Sequence, residues 1–159
     1  MAQKKKPAPQ QKAILNRRAR FDYELGDEIV AGLVLSGPEV RAARDGRVQL
    51  KGSFVTVRNN ELWLNNASFS LKNNQKGQGM TPTVDTSPRK LLASRAQIDG
   101  LIDQKNKGSS IIPLKLRTSG KYIKMVIALG KGKKHHDKRE TIKRRDQARD
   151  TQRILRDRY

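Results

Sequence analysis

Residues 112–129 read IPLKLRTSGKYIKMVIAL, which is two alternating segments joined by a turn. The first segment, 112–117, puts an apolar residue at every second position, the period of a half-buried strand. Thr118-Ser119-Gly120-Lys121 has the composition of a turn. The second segment, 122–129, places one set of apolar residues on its inner face, namely Ile123, Met125, Ile127 and Leu129. This stretch therefore predicts two neighbouring strands with a shared buried face.

A second pair of strands is predicted around Asn59-Asn60. Phe54-Val55-Thr56-Val57 precedes these asparagines and Leu62-Trp63-Leu64 follows them. Asn tolerates positive φ, so the pattern indicates a β-hairpin with a tight turn. Phe54 is interpreted as a core residue, because an RNA-recognition motif would need an aromatic residue where Ser53 stands.

Two short helices are predicted from their start signals. Ser36-Gly37-Pro38-Glu39 and Ser94-Arg95-Ala96-Gln97 both have the residues of a capping box. Asp45-Gly46 would end the first helix, and Gly108 would end the second near residue 107. Residues 72–88 are rich in Lys, Asn, Gln, Gly and Pro, and we expect them to form a long loop. Several short strands with two short helices favour a small closed or nearly closed β-barrel.

The 159 residues carry a net charge of +20, with both ends strongly basic. Residues 1–20 and residues 131–159 each contribute +7, and the 110 residues between them contribute +6. We expect residues 1–13 to be a disordered basic arm and residues 14–130 to form the folded domain. Residues 131–159 are expected to be a tail that is disordered alone and helical against a polyanion. Basic ends on a compact domain are typical of nucleic-acid-binding proteins.

Other classes of protein find little support. The chain has no cysteine and no apolar run of membrane-spanning length, and no apolar stretch of a secretory signal follows its basic start, so a cytoplasmic site is the default. His135 and His136 are adjacent and have no further His or Cys to complete a metal site. Gly130-Lys131-Gly132-Lys133-Lys134 lacks the Ser or Thr of a phosphate-binding loop, since His135 stands there. We expect no catalytic residues, no metal and no cofactor.

Three basic segments are candidates for contact with RNA, and each could instead be solvated surface. Arg17, Arg18 and Arg20 precede Phe21 and Tyr23, which we interpret as core aromatics of a first strand. Arg41, Arg44 and Arg47 are spaced by three and share a helix side where the chain is helical. The third segment, residues 130–139, reads GKGKKHHDKR, where Lys and Arg suit phosphates and a histidine ring can stack on a base.

Taken together, these segments resemble the SmpB family of tmRNA-binding proteins. The resemblance rests on ordered strings over residues 12–159: Asn16 to Arg20, Tyr23, Ala31-Gly32-Leu33, Gly37 to Arg41, Arg89 to Leu92, and Gly130 to Arg139. It implies an oligonucleotide-binding-fold barrel with two or three short helices. It also implies a noncatalytic monomer that binds tmRNA and the small-subunit rRNA of a stalled ribosome and has no membrane partner.

The resemblance also assigns roles to individual residues. In that family the barrel stands in for missing parts of a tRNA, and the tail enters the decoding centre and the vacant mRNA channel. The residues expected to bind tmRNA or to support its surface are Asn16, Arg17, Arg18, Arg20, Glu39, Arg41, Arg44, Arg89, Lys90, Leu92, Lys121 and Lys124. Those expected in the ribosome are Lys131, Lys133, Lys134, His136, Asp137, Lys138 and Arg139.

Two positions depart from the family pattern. Val30 stands where the family usually has a glutamate that contacts tmRNA, and Ser94 stands where it usually has His or Asn. Neither change touches the tail. Two alternatives stay open from the sequence: a ribosomal or general structured-RNA-binding protein, and a hydrolase or nuclease, which the missing catalytic set disfavours.

Overall fold

A computed structural model of the chain describes residues 13–72 and 82–156. It contains ten strands and four helices in these ranges. The strands are β1 (Ala13–Leu15), β2 (Tyr23–Leu33), β3 (Val48–Gln49), β4 (Phe54–Arg58), β5 (Glu61–Asn65), β6 (Ser68–Lys72), β7 (Pro82–Asp85), β8 (Arg89–Leu92), β9 (Ser110–Arg117) and β10 (Lys124–Gly132). The helices are α1 (Ala19–Asp22), α2 (Gly37–Arg44), α3 (Arg95–Asn106) and α4 (His135–Arg156).

The strands form a mainly β architecture with two sheets. The larger sheet has the order β1-β9-β10-β2-β8-β5-β4, and β4 pairs in addition with β9 through Val55 and Ile111. The strand order therefore returns from β4 to β9. The smaller sheet has the order β3-β6-β7. The prediction of a mainly β domain with short helices is confirmed.

The core is built from the inward residues of these strands. Its largest fully buried side chains include Leu62, Leu64, Phe69, Met125 and Ile127. A second, smaller cluster joins Ala19 of α1 to Ile112, Leu114 and Ala128. The inner face predicted for the second segment is confirmed. Val126 and Ala128 on its other face are buried as well, and α1 packs over Ala128.

The predicted hairpin and helix starts are confirmed. Asn59 and Asn60 have φ of 49° and 60°, so both occupy the left-handed region that a primed turn requires. At the second helix, the backbone N–H of Ser94 donates to the Gln97 side chain at 3.1 Å, and Gln97 N–H donates back to the Ser94 hydroxyl. Gly46 follows α2 with a φ of 75°, as a left-handed stop residue should.

Several sequence-based expectations were wrong in detail. Part of the loop predicted at 72–88 is strand β7, which pairs with β6, for example Val84 with Ser70. Phe54 is 45% exposed and is not a core residue. The adjacent Val55 is buried in the core cluster, and alternation along the strand then sends Phe54 outward. Phe21 lies in α1 rather than in a first strand.

The domain boundaries also differ by a few residues. Ala13 is the first residue of β1, and the rest of the predicted arm, 1–12, lies outside the described residues. At the other end, β10 continues past residue 130 to Gly132. The following tail forms α4, whose Ile142 and Ile154 are exposed. That the tail is disordered in the free protein stays a prediction.

Candidate RNA interface

Two residues expected at the RNA surface, Glu39 and Arg89, pair with each other in the interior. The Arg89 Nε donates to Glu39 at 2.7 Å, and the Arg89 side chain is only 3% exposed. The same guanidinium donates to the Ser87 carbonyl at 2.6 Å and lies 3.9 Å from the Phe69 ring centroid. A group engaged on this many sides cannot also face RNA. Glu39 and Arg89 therefore join α2 to β8 from the interior.

The environment of Glu39 favours its ionised form. Burial alone would raise the pKa of Glu39, but hydrogen bonds from Ser36 and the Arg89 guanidinium outweigh it and lower that pKa below its ordinary 4.5. The Ser36 backbone N–H donates to the carboxylate at 2.6 Å and the Ser36 hydroxyl at 2.8 Å. The capping residue of α2 thus also orients the partner of Arg89.

Asn16 has a structural use at an irregular point of β9. The β9–β10 register shifts between Val126 and Ile127, opposite Leu114, where β9 bulges beside Pro113. The Asn16 backbone N–H donates to the Leu114 carbonyl at 2.7 Å, and its side-chain amide donates to the Pro113 carbonyl at 2.9 Å. Asn16 satisfies two carbonyls at the bulge and so holds the start of α1 in place.

Three of the expected residues, Leu92, Lys121 and Lys124, do gather on one exposed surface, which we call the Leu92 face. It comprises Val34, Leu92, Lys121, Tyr122 and Lys124, around a shallow pocket of about 450 Å³. Leu92 is 54% exposed and Tyr122 is 67% exposed. The Lys121 ammonium lies 5.4 Å from the Tyr122 ring centroid. An exposed ring flanked by cations suits contact with an RNA base and its phosphates.

Lys90 lies beside the Leu92 face on β8. Its ammonium pairs with Glu61, and both side chains are more than a third exposed. An exposed ion pair of this kind is weak, so Lys90 can exchange its partner for a phosphate at little cost. Val30, at the position that departs from the family pattern, is 44% exposed on β2.

The three arginines that are spaced by three, Arg41, Arg44 and Arg47, divide into two groups. Arg41 and Arg44 are exposed, as the spacing predicts. Arg47 lies beyond the helix and is used internally, because it donates to the Ser70 carbonyl at 2.6 Å and to Asp45 at 2.7 Å. Only the helical pair is therefore available to phosphates.

The N-terminal arginines surround α1. Arg17 and Arg18 are exposed, and Arg20 is 3.9 Å from Glu28. Glu28 also receives Lys115 at 3.2 Å. Glu28 therefore sits between two cations. These arginines do not line the Leu92 face, so the structure does not bring all the expected tmRNA residues together.

The GKGKK string is tied to the folded domain before the tail begins. Lys131 and Gly132 pair with Glu24 and Tyr23 of β2. Lys133 donates its backbone N–H to the Asp22 carbonyl at 3.0 Å and its ammonium to the Arg20 carbonyl at 3.1 Å. A Cβ on Gly130 would lie 3.0 Å from Tyr23 Cβ and 3.1 Å from Ile112, so close packing explains this glycine. The string is a strand end and not a phosphate loop.

The remaining tail residues belong to α4. His136, Asp137, Lys138 and Arg139 all lie in its first two turns, and Arg139 is exposed. Lys134 directly precedes the helix and is also exposed. In the described ranges there is no cluster of three or more groups that could hold a metal. No helix there is long and apolar enough to cross a membrane.

Sequence reasoning missed Val34 and Tyr122 as surface residues. Both lie in apolar or alternating segments, where periodicity alone places them on a strand face. Exposure of Tyr122 could have been predicted from its position directly after Lys121, the last residue of the predicted turn. Gly120 has a φ of 92°, and β10 begins only at Lys124, so Tyr122 belongs to the turn and projects outward.

Comparisons with known proteins all point to the same protein family. A family model described as SmpB protein matches residues 13–157. The SsrA-binding protein of Coxiella burnetii is 44% identical over 95% of this chain and 94% of its own length. The SsrA-binding protein of Shouchella clausii is 41% identical over 90% of both chains, and that of Lacticaseibacillus casei is 37% identical over the full length of both.

A solved structure also matches the fold. It is reported as "tmRNA-SmpB: a journey to the center of the bacterial ribosome" and has a TM-score of 0.61 and 31% sequence identity. The match covers 82% of this chain and 94% of the other. The similarity therefore extends over most of the described architecture.

Proposed function

The chain belongs to the SmpB protein family, and we propose that it is a noncatalytic adaptor that binds the tRNA-like domain of tmRNA. It delivers tmRNA to the vacant A site of stalled ribosomes during trans-translation. It acts as a monomer in the cytoplasm and contacts both tmRNA and small-subunit rRNA. The observation that carries this proposal is a family match that spans both the sheets and the helical tail.

In this proposal the larger sheet, whose strand β4 pairs back with β9, forms an oligonucleotide-binding-fold barrel. The pairing of Val55 with Ile111 supports closure, because it joins β4 to β9. A closed sheet has no free edge and gives a rigid platform for RNA. On this platform the Leu92 face, the α2 arginines and Arg17 contact tmRNA, while the Glu39–Arg89 pair fixes α2 against β8.

The tail has a separate task in the ribosome. Lys131, Lys133 and Lys134 start it, and His136 to Arg139 enter the decoding centre, with α4 continuing into the empty mRNA channel. The cationic sequence suits a channel lined by phosphates, since each neutralised phosphate releases counterions. The hydrogen bonds of Lys133 to α1 support a fixed starting point for the tail.

The direct test of RNA selectivity is a filter-binding competition at near-physiological salt. Labelled tmRNA acceptor-like domain competes with tRNA and with duplex DNA of equal length. We expect clear preference for tmRNA. Equal affinities for all three would contradict the adaptor and favour a general structured-RNA-binding or ribosomal protein.

The tail assignment predicts a separation of binding from tagging. We expect His136→Ala to lower the rate of peptide tagging on stalled ribosomes without changing the Kd for free tmRNA, because the ring would stack only on a decoding-centre base. The matched control is His135→Ala, one position away on α4. An unchanged tagging rate in His136→Ala would remove the stacking role.

A further inference from the structure

A second pocket lies away from the Leu92 face and shares no lining residue with it. It has a volume of about 580 Å³, within the range of about 300–1,000 Å³ typical of small-ligand sites. Its lining includes Arg18, Tyr23, Lys51, Phe54 and Lys105. None of these residues except Arg18 was expected at an RNA surface, and we call this site the Phe54 pocket.

Phe54, one of the two aromatic residues that line this pocket, is exposed for a structural reason. Phe54 is the first residue of β4 and is 45% exposed, while the adjacent Val55 is 4% exposed. Val55, which pairs with Ile111 where β4 meets β9, is a member of the buried core cluster. Alternation along the strand then fixes Phe54 on the outside. The burial of Val55 in the core thus keeps the Phe54 ring at the surface.

The pocket is also positively charged. Arg18, Lys51 and Lys105 line it together with one carboxylate, Asp22, so the lining has three cations and one acid. All three cations are exposed. Within residues 13–72 and 82–156, none of the three takes part in a salt bridge. Their charge is therefore available to an anionic ligand.

The wall that carries Lys51 is preorganised. Gly52 has a φ of 76°, and the turn is held by the Ser53 hydroxyl, which donates to the Leu50 carbonyl at 2.6 Å. The Asn66 side-chain amide donates to the Gly52 carbonyl at 3.1 Å. Anchored on both sides, this turn presents Lys51 beside Phe54 without a loop having to be ordered on binding.

We propose that the Phe54 pocket binds one unpaired nucleotide of RNA, with the base stacked on Phe54 and the flanking phosphates held by Arg18, Lys51 and Lys105. Stacking on an aromatic ring is tolerant of base identity, and cations track the phosphates on either side. A single exposed phenylalanine is ordinary on a protein surface. Its place in a concave pocket beside three exposed cations, none in a salt bridge within the described part of the chain, is what identifies an RNA-binding site. The inference rests on the proposed RNA-binding function and adds a second contact surface to it.

The test uses photocrosslinking with the full chain. Bromouridine is placed in a short unpaired oligoribonucleotide and, in a second arm, in the unpaired positions of the tmRNA acceptor-like domain. We expect a crosslink mapped by mass spectrometry to Phe54. A crosslink from the tmRNA arm places the nucleotide in tmRNA, whereas one from the oligoribonucleotide alone points to another RNA. Crosslinks from both arms that avoid the pocket would overturn the proposal.

Affinity for the same oligoribonucleotide provides an independent readout. We expect Phe54→Leu to weaken binding by about 5- to 100-fold and Phe54→Tyr to retain it, because only the latter keeps a ring. Lys51→Gln should weaken binding and lower its salt dependence. The matched controls are Val84→Ala, which trims another exposed apolar residue, and Lys107→Gln, which removes an exposed cation that does not line the pocket.

The outcomes separate this proposal from the function it rests on. If Phe54→Leu and its controls bind the oligoribonucleotide equally, the pocket is refuted even when wild-type protein still prefers tmRNA in the competition. If wild-type protein shows no such preference but Phe54 crosslinks and its loss weakens binding, the adaptor function fails and the pocket stands. Folding of each variant is checked by its unfolding midpoint.

Discussion

At the scale of single residues, the charged pair Glu39–Arg89 and the glycine Gly130 have packing roles in the interior that the sequence does not reveal. The capping residues near Glu39 are visible in the sequence, but the contact of Glu39 with Arg89, fifty residues further along the chain, is not. A pairing across that distance depends on how α2 lies against β8. Motif resemblance therefore marked both residues as important and could not say that their role is internal.

Glu39→Gln should destabilise the domain by about 3 kcal/mol, because it leaves the buried Arg89 with one fewer anionic partner. The wild-type carboxylate has a lowered pKa, so its contribution is present above the ordinary value of 4.5 and is lost as pH falls through the lowered value. We expect wild-type stability to fall more steeply than that of the variant in this acidic range. Urea unfolding at several pH values measures both effects.

The matched control for that experiment is Glu61→Gln, which removes an exposed ion pair with Lys90. Its cost should stay below about 1 kcal/mol. Equal costs for the two variants would show that burial of the Glu39–Arg89 pair is not the decisive factor.

Gly130→Ala should lower the free energy of unfolding by about 2 kcal/mol, because its Cβ would press on Tyr23 and Ile112 at 3.0 and 3.1 Å. Gly132→Ala is the matched control in the same string, since a Cβ there meets nothing within 4 Å. Thermal unfolding distinguishes them. A Gly130→Ala variant as stable as the control would contradict the packing explanation.

At the scale of elements, local signals were sufficient wherever the chain folds on its neighbours. The asparagine turn and both capping boxes are short-range features, and the structure contains all of them. Strand β7 was missed for two reasons. The residues between it and its partner β6 have the composition of a loop, and β7 itself begins with a proline, Pro82. Phe54 was misplaced because its face depends on the burial of Val55 in a core built from strands that lie far apart in the sequence.

Asn60→Gly should keep or slightly raise the stability of the β4–β5 hairpin, because glycine accepts the φ of 60° without strain. Asn60→Val should lower stability by about 1–2 kcal/mol, since a β-branched residue disfavours that region. Chemical unfolding of the two variants provides the comparison. A valine variant equal to wild type would show that the turn does not need the primed geometry.

At the scale of the whole molecule, the chain divides into a folded body and a helical tail. The body offers the Leu92 face, the α2 arginines and the Phe54 pocket, while the tail begins only after Lys133 has been tied to α1. Charge distribution predicted two basic ends but not this starting point. Because β10 runs to Gly132, a truncation meant to remove only the tail should keep residues up to 134.

The most direct measurement compares the full chain with a variant ending at Lys134. Both are assayed for the Kd of the tmRNA acceptor-like domain and for tagging on stalled ribosomes. We expect the truncated protein to bind tmRNA nearly as tightly as the full chain while tagging is lost. A parallel loss of tmRNA binding and tagging would contradict the division between body and tail.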